Sequence, residues 1–409
     1  MATEKIEKVI AGYLKELSQK GTLKGRETIL CGMKPSENGF GNRYFLQGQG
    51  EKEFLRMNSN SYLGLSTSKE VIKAEDHAAE KFGTGPGAVR FISGTYLPHV
   101  ELEQKLAVFH GREAAMVFSA AYAAVMGVLP SLVSPKTIVI SDSLNHNSII
   151  NAVKLARPAD KFVYRHLDME DFEEKLQNAV GMVQRIIVVT DGIFSMRGDH
   201  APLESITSIC TKYESEFAEG IITVVDDSHG VGAVGLTGRG TEEYTGTHAD
   251  ILIATLGKAL GVNGGYVAAS AKIIEFLRET APFYIYSNPI TPSEASAATQ
   301  SLEILDSKKG RSLLGKMRGL VKQLESGITD LGYEVISSEH PIVPLLVRDT
   351  EKTRKLVEYL FEHGILATGL KFPVVPRGDE EIRFQVSAGH TEKDIDYVLD
   401  VLRDFNREV

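Results

Sequence analysis

Residues 221–230 read IITVVDDSHG. An apolar run rich in β-branched residues ends in two acids, a small residue and a histidine. A strand that is apolar on both faces has to be covered on both faces, the pattern of a parallel sheet flanked by helices. In such sheets ligands bind beyond the carboxyl ends of the strands, where Asp226, Asp227 and His229 stand. Adjacent carboxylates at a strand end repel each other and lose solvation, so at least one of them has a charge to meet.

Working outward, runs of the same kind recur: AMVF (115–118), TIVIS (137–141), KFVYR (161–165), RIIVVT (185–190), DILIAT (250–255) and GYVAAS (265–270). Helical patterns separate them. The expectation is an α/β fold, a large domain with a mostly parallel seven-stranded sheet covered by helices. After about residue 290 the pattern changes to two helical stretches (292–331), then YEVISS, PIVPLLV, a helix near 351–363, EIRFQVS and a last helix that Thr391 and Asp394 are placed to cap. This predicts a smaller α+β C-terminal domain. The division read from the sequence is residues 1–55 as an N-terminal helix and arm, 56–290 as the large domain and 291–409 as the small one.

Lys+Arg 45 against Asp+Glu 54 gives the 409-residue chain a net charge of −9, which argues against a general nucleic-acid or membrane-surface binder. Cys31 and Cys210 have no metal-site spacing, and a reduced, cytoplasmic protein is the simplest reading. The start of the chain repeats apolar residues at helical spacing (Ile6, Val9, Ile10, Tyr13, Leu14) with Glu4 and Glu7 among them. That suits an amphipathic helix docking on the body or on a partner subunit, and not a signal peptide. Residues 114–134 carry no charge, but Ser119, Gly127 and Pro130 divide them into a strand, a turn and a buried helix, and no membrane span is expected.

The polar residues beyond the apolar runs carry the chemistry. Lys258, in ATLGKALG, follows DILIAT; desolvation there makes a lysine nucleophilic toward carbonyls, against the alternative of a lysine reaching solvent. Asp226 and His229 suit a pyridinium proton and a phenolic oxygen, two of the three ligands a metal needs, or an ordinary helix cap. FSAAYAAV (118–125) is a strand-to-helix turn whose backbone N–H groups can hold a phosphate. His146 follows TIVI and is placed to stack on an aromatic cofactor; DGIFSMRGD (191–199) offers Asp191 and Ser195; Arg383 in EIRFQVSAGH can pair with a carboxylate. The glycines of FGTGPGAVR (82–90) mark a close backbone approach or a plain loop. Taken one at a time these residues leave alternatives open. Together they are the parts of a pyridoxal-phosphate (PLP) amino-acid site, and no metal is called for.

From about residue 54 to 400 the chain resembles the α-oxoamine synthases, PLP enzymes of the aspartate-aminotransferase fold that condense an amino acid with an acyl-CoA. The resemblance rests on NSYLGLS (60–66), VRFISGT and HVELEQKLA (89–107), SDSLNHNSII, DGIFSMRGD with APL, VVDDSHGVGAVGLTGRG, TLGKALG and RFQVSAGH. It implies that Lys258 holds PLP and later acts as base, that Asp226 pairs with the ring nitrogen, that His229 with Ser195 meets the phenolic oxygen, and that His146 stacks on the ring. Ala121, Tyr122 and Thr255 match phosphate binders. Ser287 in YIYSNPITP matches a phosphate contact from the other subunit, implying an obligate homodimer. Asn60 and Arg383 match the substrate-carboxylate pair. SDSLNHNSI, GGYVAAS, YSNPITP and LKFPVVPRGDEEIRFQVSAGHT resemble the glycine C-acetyltransferase (2-amino-3-ketobutyrate CoA ligase) branch, which implies glycine and acetyl-CoA as substrates. The other branches weighed are 8-amino-7-oxononanoate synthase, with alanine and a pimeloyl thioester, and other decarboxylating synthases; an aminotransferase or aldolase would share Lys258 and Asp226. The chain departs from the family at Val125, where Asn is common, at Arg197, where an acid is usual, and in the short GVNGG.

Overall fold

The computed structural model describes residues 3–20, 22–23, 27–372 and 375–408. Its main sheet has seven strands: β1 (Ala114–Phe118), β2 (Thr137–Asp142), β3 (Asp160–Tyr164), β4 (Arg185–Asp191), β5 (Ile221–Asp226), β6 (Ile251–Thr255) and β7 (Gly265–Ala269), in the spatial order β1-β7-β6-β5-β4-β2-β3. β2 to β6 are parallel. β7 is antiparallel to both β6 and β1, so β1 runs in the direction of β6. The carboxyl ends of β1, β2, β4, β5 and β6 therefore meet at one edge, and Asp191 and Asp226 are cross-strand partners there.

Alternation along each strand sends successive side chains to opposite faces. Val139, Ile187 and Val224 pack with helices α1 (Ala121–Leu132) and α2 (Asn147–Ala156). Ile140, Val188 and Val225 pack with Phe172 and Ile206 on the other face. Both faces are dry, which is why these strands read as continuous apolar runs. The exception is the edge strand β3, where Asp160, Lys161 and Val163 are exposed: helices cover only the face that carries Phe162 and Tyr164, so the reading of KFVYR as doubly buried is corrected. Residues 114–134 resolve into β1 and α1, and Pro130 lies inside that helix. Among the described residues no helix is long and apolar enough to cross a membrane.

The C-terminal part forms a four-stranded antiparallel sheet of β8 (Glu334–Val335), β9 (Ile342–Leu346), β10 (Thr368–Leu370) and β11 (Glu381–Gln385), in the order β8-β9-β11-β10. The long helix Lys308–Asp330 and the last helix Glu392–Glu408 pack against it around Phe384, Leu324 and Val398. Thr391 and Asp394 cap the last helix reciprocally, backbone N–H to side chain in both directions. A segment from near the start of the chain is built into this unit. Leu55–Arg56 pairs with Ile365–Leu366, and the Gln385 N–H donates to Met57 O at 2.8 Å. This anchor carries the following residues, Asn60 and Tyr62, between the two sheets' cores. The N-terminal helix Glu4–Gln19 buries no residue, so it does not dock on the body of its own chain.

Candidate active site

Asp226 ends β5 with its carboxylate buried; Oδ1 accepts the Ser228 N–H at 3.1 Å. Asp227 goes the other way. It is fully buried and takes the Thr241 N–H at 2.7 Å and the Thr241 hydroxyl at 2.5 Å. A Cβ at Gly192, Gly230 or Gly240 would overlap its carboxylate, so three glycine turns close around this acid. Burial raises its pKa to about 8, opposed by the two Thr241 donors. Asp227 thus faces backbone and a hydroxyl in the interior.

Lys258 lies half-buried in the turn after β6. Burial lowers its amine to about 8, against the pull of Asp226 and Asp191. An amine near neutrality is free to act as nucleophile and as base. His229 is held neutral well below its ordinary range, first by burial and then by the charge of Lys258. Its Nδ1 is 2.7 Å from the Tyr62 hydroxyl, which in turn donates to Asn60 Oδ1 at 3.2 Å. His340 Nε2 donates to the His229 carbonyl at 2.8 Å, and its ring meets Tyr62 edge-on.

His146 is the N-cap of α2, and its Nδ1 accepts the Ser148 N–H. Its backbone N–H donates to Asp191 Oδ2 at 2.8 Å, and the Asp191 N–H donates to Asn145 Oδ1 at 2.9 Å. Asn145 is tied in turn to Val189 O and Ser141 Oγ. A buried acid thus fixes the loop that presents the imidazole, and burial beside Asp226 pushes the Asp191 carboxyl up. Tyr122 meets His146 edge-on and is held by Asn147 and Asn151.

Ala121 opens α1, and the N-cap Ala120 has no side chain able to take the first-turn N–H groups. A Cβ on Gly265 would collide with the Ala121 backbone, so only glycine lets β7 pass this helix end. Thr255 Oγ1 donates to Gly264 O and accepts the Gly257 N–H. On β11, Arg383 keeps Nε and Nη2 buried with no hydrogen-bond partner, and the hydroxyl of Ser228 is equally unclaimed. Burial lowers the Arg383 pKa, with Tyr62 and Glu381 opposing. Ser287 stands beside the exposed Tyr286, and its hydroxyl reaches only Asn288 O within its own chain.

Lys258, Asp226, His229, His146, Thr255 and the α1 turn are gathered at one sheet edge. Asn60 and Arg383 are joined to it through Tyr62, by a hydrogen bond in one case and by charge in the other. Ser287 is not connected to the group. Tyr62, His340 and Asn145 were not singled out from the sequence. Tyr62 lies inside NSYLGLS and could have been, whereas His340 stands in SSEHPIV with no spacing that links it to the site. The crevice offers an unclaimed helix N-terminus for a phosphate, a strand-end acid for a ring N–H, a softened amine for an aldehyde and an unpaired guanidinium for a carboxylate. That donor set fits PLP with an amino acid.

Known proteins agree. Residues 52–402 match the family described as Aminotransferase class I and II. The chain is 38% identical over 351 residues to the 8-amino-7-oxononanoate synthase of Thermosipho melanesiensis, covering 85% of this chain and 87% of that one. It is also 38% identical over 356 residues to the mitochondrial 2-amino-3-ketobutyrate coenzyme A ligase of Homo sapiens, covering 86% and 83%. A lysine-to-alanine variant of serine palmitoyltransferase from S. paucimobilis, solved with a bound PLP–myriocin aldimine, superposes with a TM-score of 0.86 at 26% identity, covering 99% of this chain and 98% of that one.

Proposed function

The chain belongs to the α-oxoamine synthase family of PLP-dependent acyltransferases, and from that premise we propose that it condenses glycine with acetyl-CoA to give an α-amino-β-keto acid and CoA. The observation that carries the amino-acid half is the buried, unpartnered guanidinium of Arg383. A charged group left unpaired in a protein interior costs several kcal/mol, on the order of 3–5, and a substrate carboxylate satisfies both free N–H groups at once.

When bound, PLP supplies an electron sink for negative charge at the substrate Cα. The other parts of the reaction fall to this chain's residues. Lys258 would hold the cofactor's aldehyde through its Nζ and would serve as the base for the Cα proton; an amine softened to about 8 suits both tasks. Asp226 holds the proton on the ring nitrogen. His229, kept neutral, offers a hydrogen bond to the phenolic oxygen together with Ser195. His146 covers one face of the ring, in a position held by Asp191. The first turn of α1 at Ala121 and Tyr122, with Thr255, takes the phosphate, and Ser287 completes that site in a second copy of the chain. Asn60 assists Arg383 at the carboxylate.

Glycine and acetyl-CoA are preferred because SDSLNHNSI, YSNPITP and the stretch around Arg383 resemble that branch. A second reading, alanine with a pimeloyl thioester, is favoured by the equal identity to the Thermosipho protein. Release of free CoA, measured with glycine, alanine and serine crossed with acetyl-, pimeloyl- and long-chain CoA, separates the two. We expect the fastest release with glycine and acetyl-CoA. No release from any pair would remove the acyltransferase reading, and preference for alanine with pimeloyl-CoA would replace the first reading by the second.

A further inference from the structure

A cavity of about 370 Å³ adjoins the crevice, walled on its apolar side by Phe194, Leu346 and Val375. Ser195 lines it, and so does Glu381, two residues before Arg383 on the same face of β11. Leu144, two residues before His146, closes another side. The lining thus includes Ser195 and comes within two residues of His146 and Arg383 along the chain.

The charges on its wall do not cancel. Arg197 Nε donates to Asp199 Oδ2 at 3.0 Å, and Arg348 makes a two-pronged pair with Glu334 at 2.7 and 2.9 Å. Each arginine is matched by its own acid. Asp379 comes only within 4.0 Å of Arg348. Glu381 has no such match: it is 4% exposed, and its Oε1 has no hydrogen-bond partner. Burial raises its carboxyl to about 7, with Arg383 and Arg197 drawing it down and Asp379 pushing it up. The unmatched charge on the wall is acidic, and the rest of the lining is largely hydrocarbon.

We propose that this cavity receives the acyl end of the thioester, and that Glu381 makes it selective for uncharged acyl groups over those ending in a carboxylate. The proposal rests on the reading of the chain as an acyl-CoA-using enzyme and adds its acyl specificity. A second carboxylate entering this space loses water and, above about pH 7 where Glu381 is ionised, meets an unpaired like charge, and both effects oppose it. An uncharged chain exchanges water for Phe194, Leu346 and Val375 and gains. Arg197 lines the same cavity and draws the Glu381 carboxyl down, which gives a role to one of the positions at which this chain departs from its family.

The test compares heptanoyl-CoA with pimeloyl-CoA, equal in carbon count and different in the terminal carboxylate. Wild-type holoenzyme is expected to show higher kcat/KM with heptanoyl-CoA. Glu381→Gln should shrink that ratio about tenfold, the order expected when one poorly screened like charge is removed. Assayed well above pH 7, where Glu381 stays ionised, Arg197→Gln at its exposed site should move the ratio the opposite way. A wild-type preference for pimeloyl-CoA, or a ratio that neither variant moves, overturns the proposal. If no thioester is turned over, the functional reading fails separately. Titration calorimetry of the same two thioesters on holoenzyme then decides the cavity's selectivity by binding alone.

Discussion

At Asp226 and Asp227 two identical side chains, one residue apart, have opposite surroundings. Asp226 faces the crevice at the end of its strand; Asp227 is enclosed by Thr241 and three glycine turns. Their substitutions should therefore fail in different assays. Asp226→Asn is expected to abolish nearly all turnover while leaving the thermal midpoint unchanged. Asp227→Asn should instead lower stability by about 1–3 kcal/mol, because an amide turned toward the Thr241 N–H leaves a buried donor unsatisfied, with turnover per folded molecule largely kept. Denaturant melts read beside single-turnover CoA release check both, and equal activity losses would mean that the wrong carboxylate has been assigned to the ring. A third residue-level expectation concerns Lys258: Lys258→Ala should lose the cofactor's visible absorbance on dialysis, where wild type keeps it.

Between elements, two polar clusters hold the crevice in shape. Glu103 accepts from Arg90 with both carboxyl oxygens, from Arg278 at 2.8 Å and from the Val117 N–H of β1 at 2.9 Å. It joins helix Leu97–Phe109 to the sheet edge and to the helix Ala271–Thr280. Glu103→Ala strands a buried Arg90 and is expected to cost about 3–5 kcal/mol in denaturant unfolding. His166 lies under the loop that carries Ser195 and Arg197, bonded to Asp142 at 3.0 Å and Asp199 at 3.2 Å. Burial alone would lower its pKa, but the two carboxylates raise it to about 9 from an ordinary 6.5. A folded pKa above the unfolded one means the stabilisation is complete below about 6.5 and is lost as pH rises through about 9. Melting temperature should fall across that window in wild type, and fall less in His166→Gln; parallel slopes would refute the assignment.

The strands of the main sheet were legible because burial on both faces writes an unbroken apolar run, and the candidate site was legible where a polar residue follows such a run within a few positions. Asp226, His146, Lys258 and Arg383 all meet that condition or sit within a strand. Tyr62 and His340 do not. Tyr62 reaches His229 from a segment whose residues 55–57 are stitched into the C-terminal part, a pairing more than three hundred residues apart in sequence, and His340 reaches it from the loop before β9; no local pattern encodes either contact. The edge strand β3 was legible as a strand and misread in its burial, since sequence pattern does not reveal which strand ends a sheet.

On the scale of the molecule, the apolar stripe of helix Glu4–Gln19 (Ile6, Val9, Ile10, Tyr13) is 50–67% exposed, and Phe91, Ile92 and Tyr286 are more than 60% exposed. Surfaces of this kind mark protein contacts, and we expect a homodimer by sedimentation. Mixing Lys258→Ala with Ser287→Trp subunits should restore activity absent from either alone, because each mixed dimer then holds one complete site; no recovery would place Ser287 outside its partner's crevice.

The antiparallel strand β7 has a consequence for the newborn chain. Of the seven strands of the main sheet β1 emerges from the ribosome first, yet among the described residues its only neighbour there is β7, synthesised last of the seven. Until residue 269 is available, β1 is an apolar edge with nothing to pair with, a species prone to sticking to other chains. Insertion of β7 also sets Gly265 against the first turn of α1. The turn proposed to take the phosphate is thus completed in the same step that closes the sheet, and uptake of cofactor by nascent protein would serve as a clock for the end of folding.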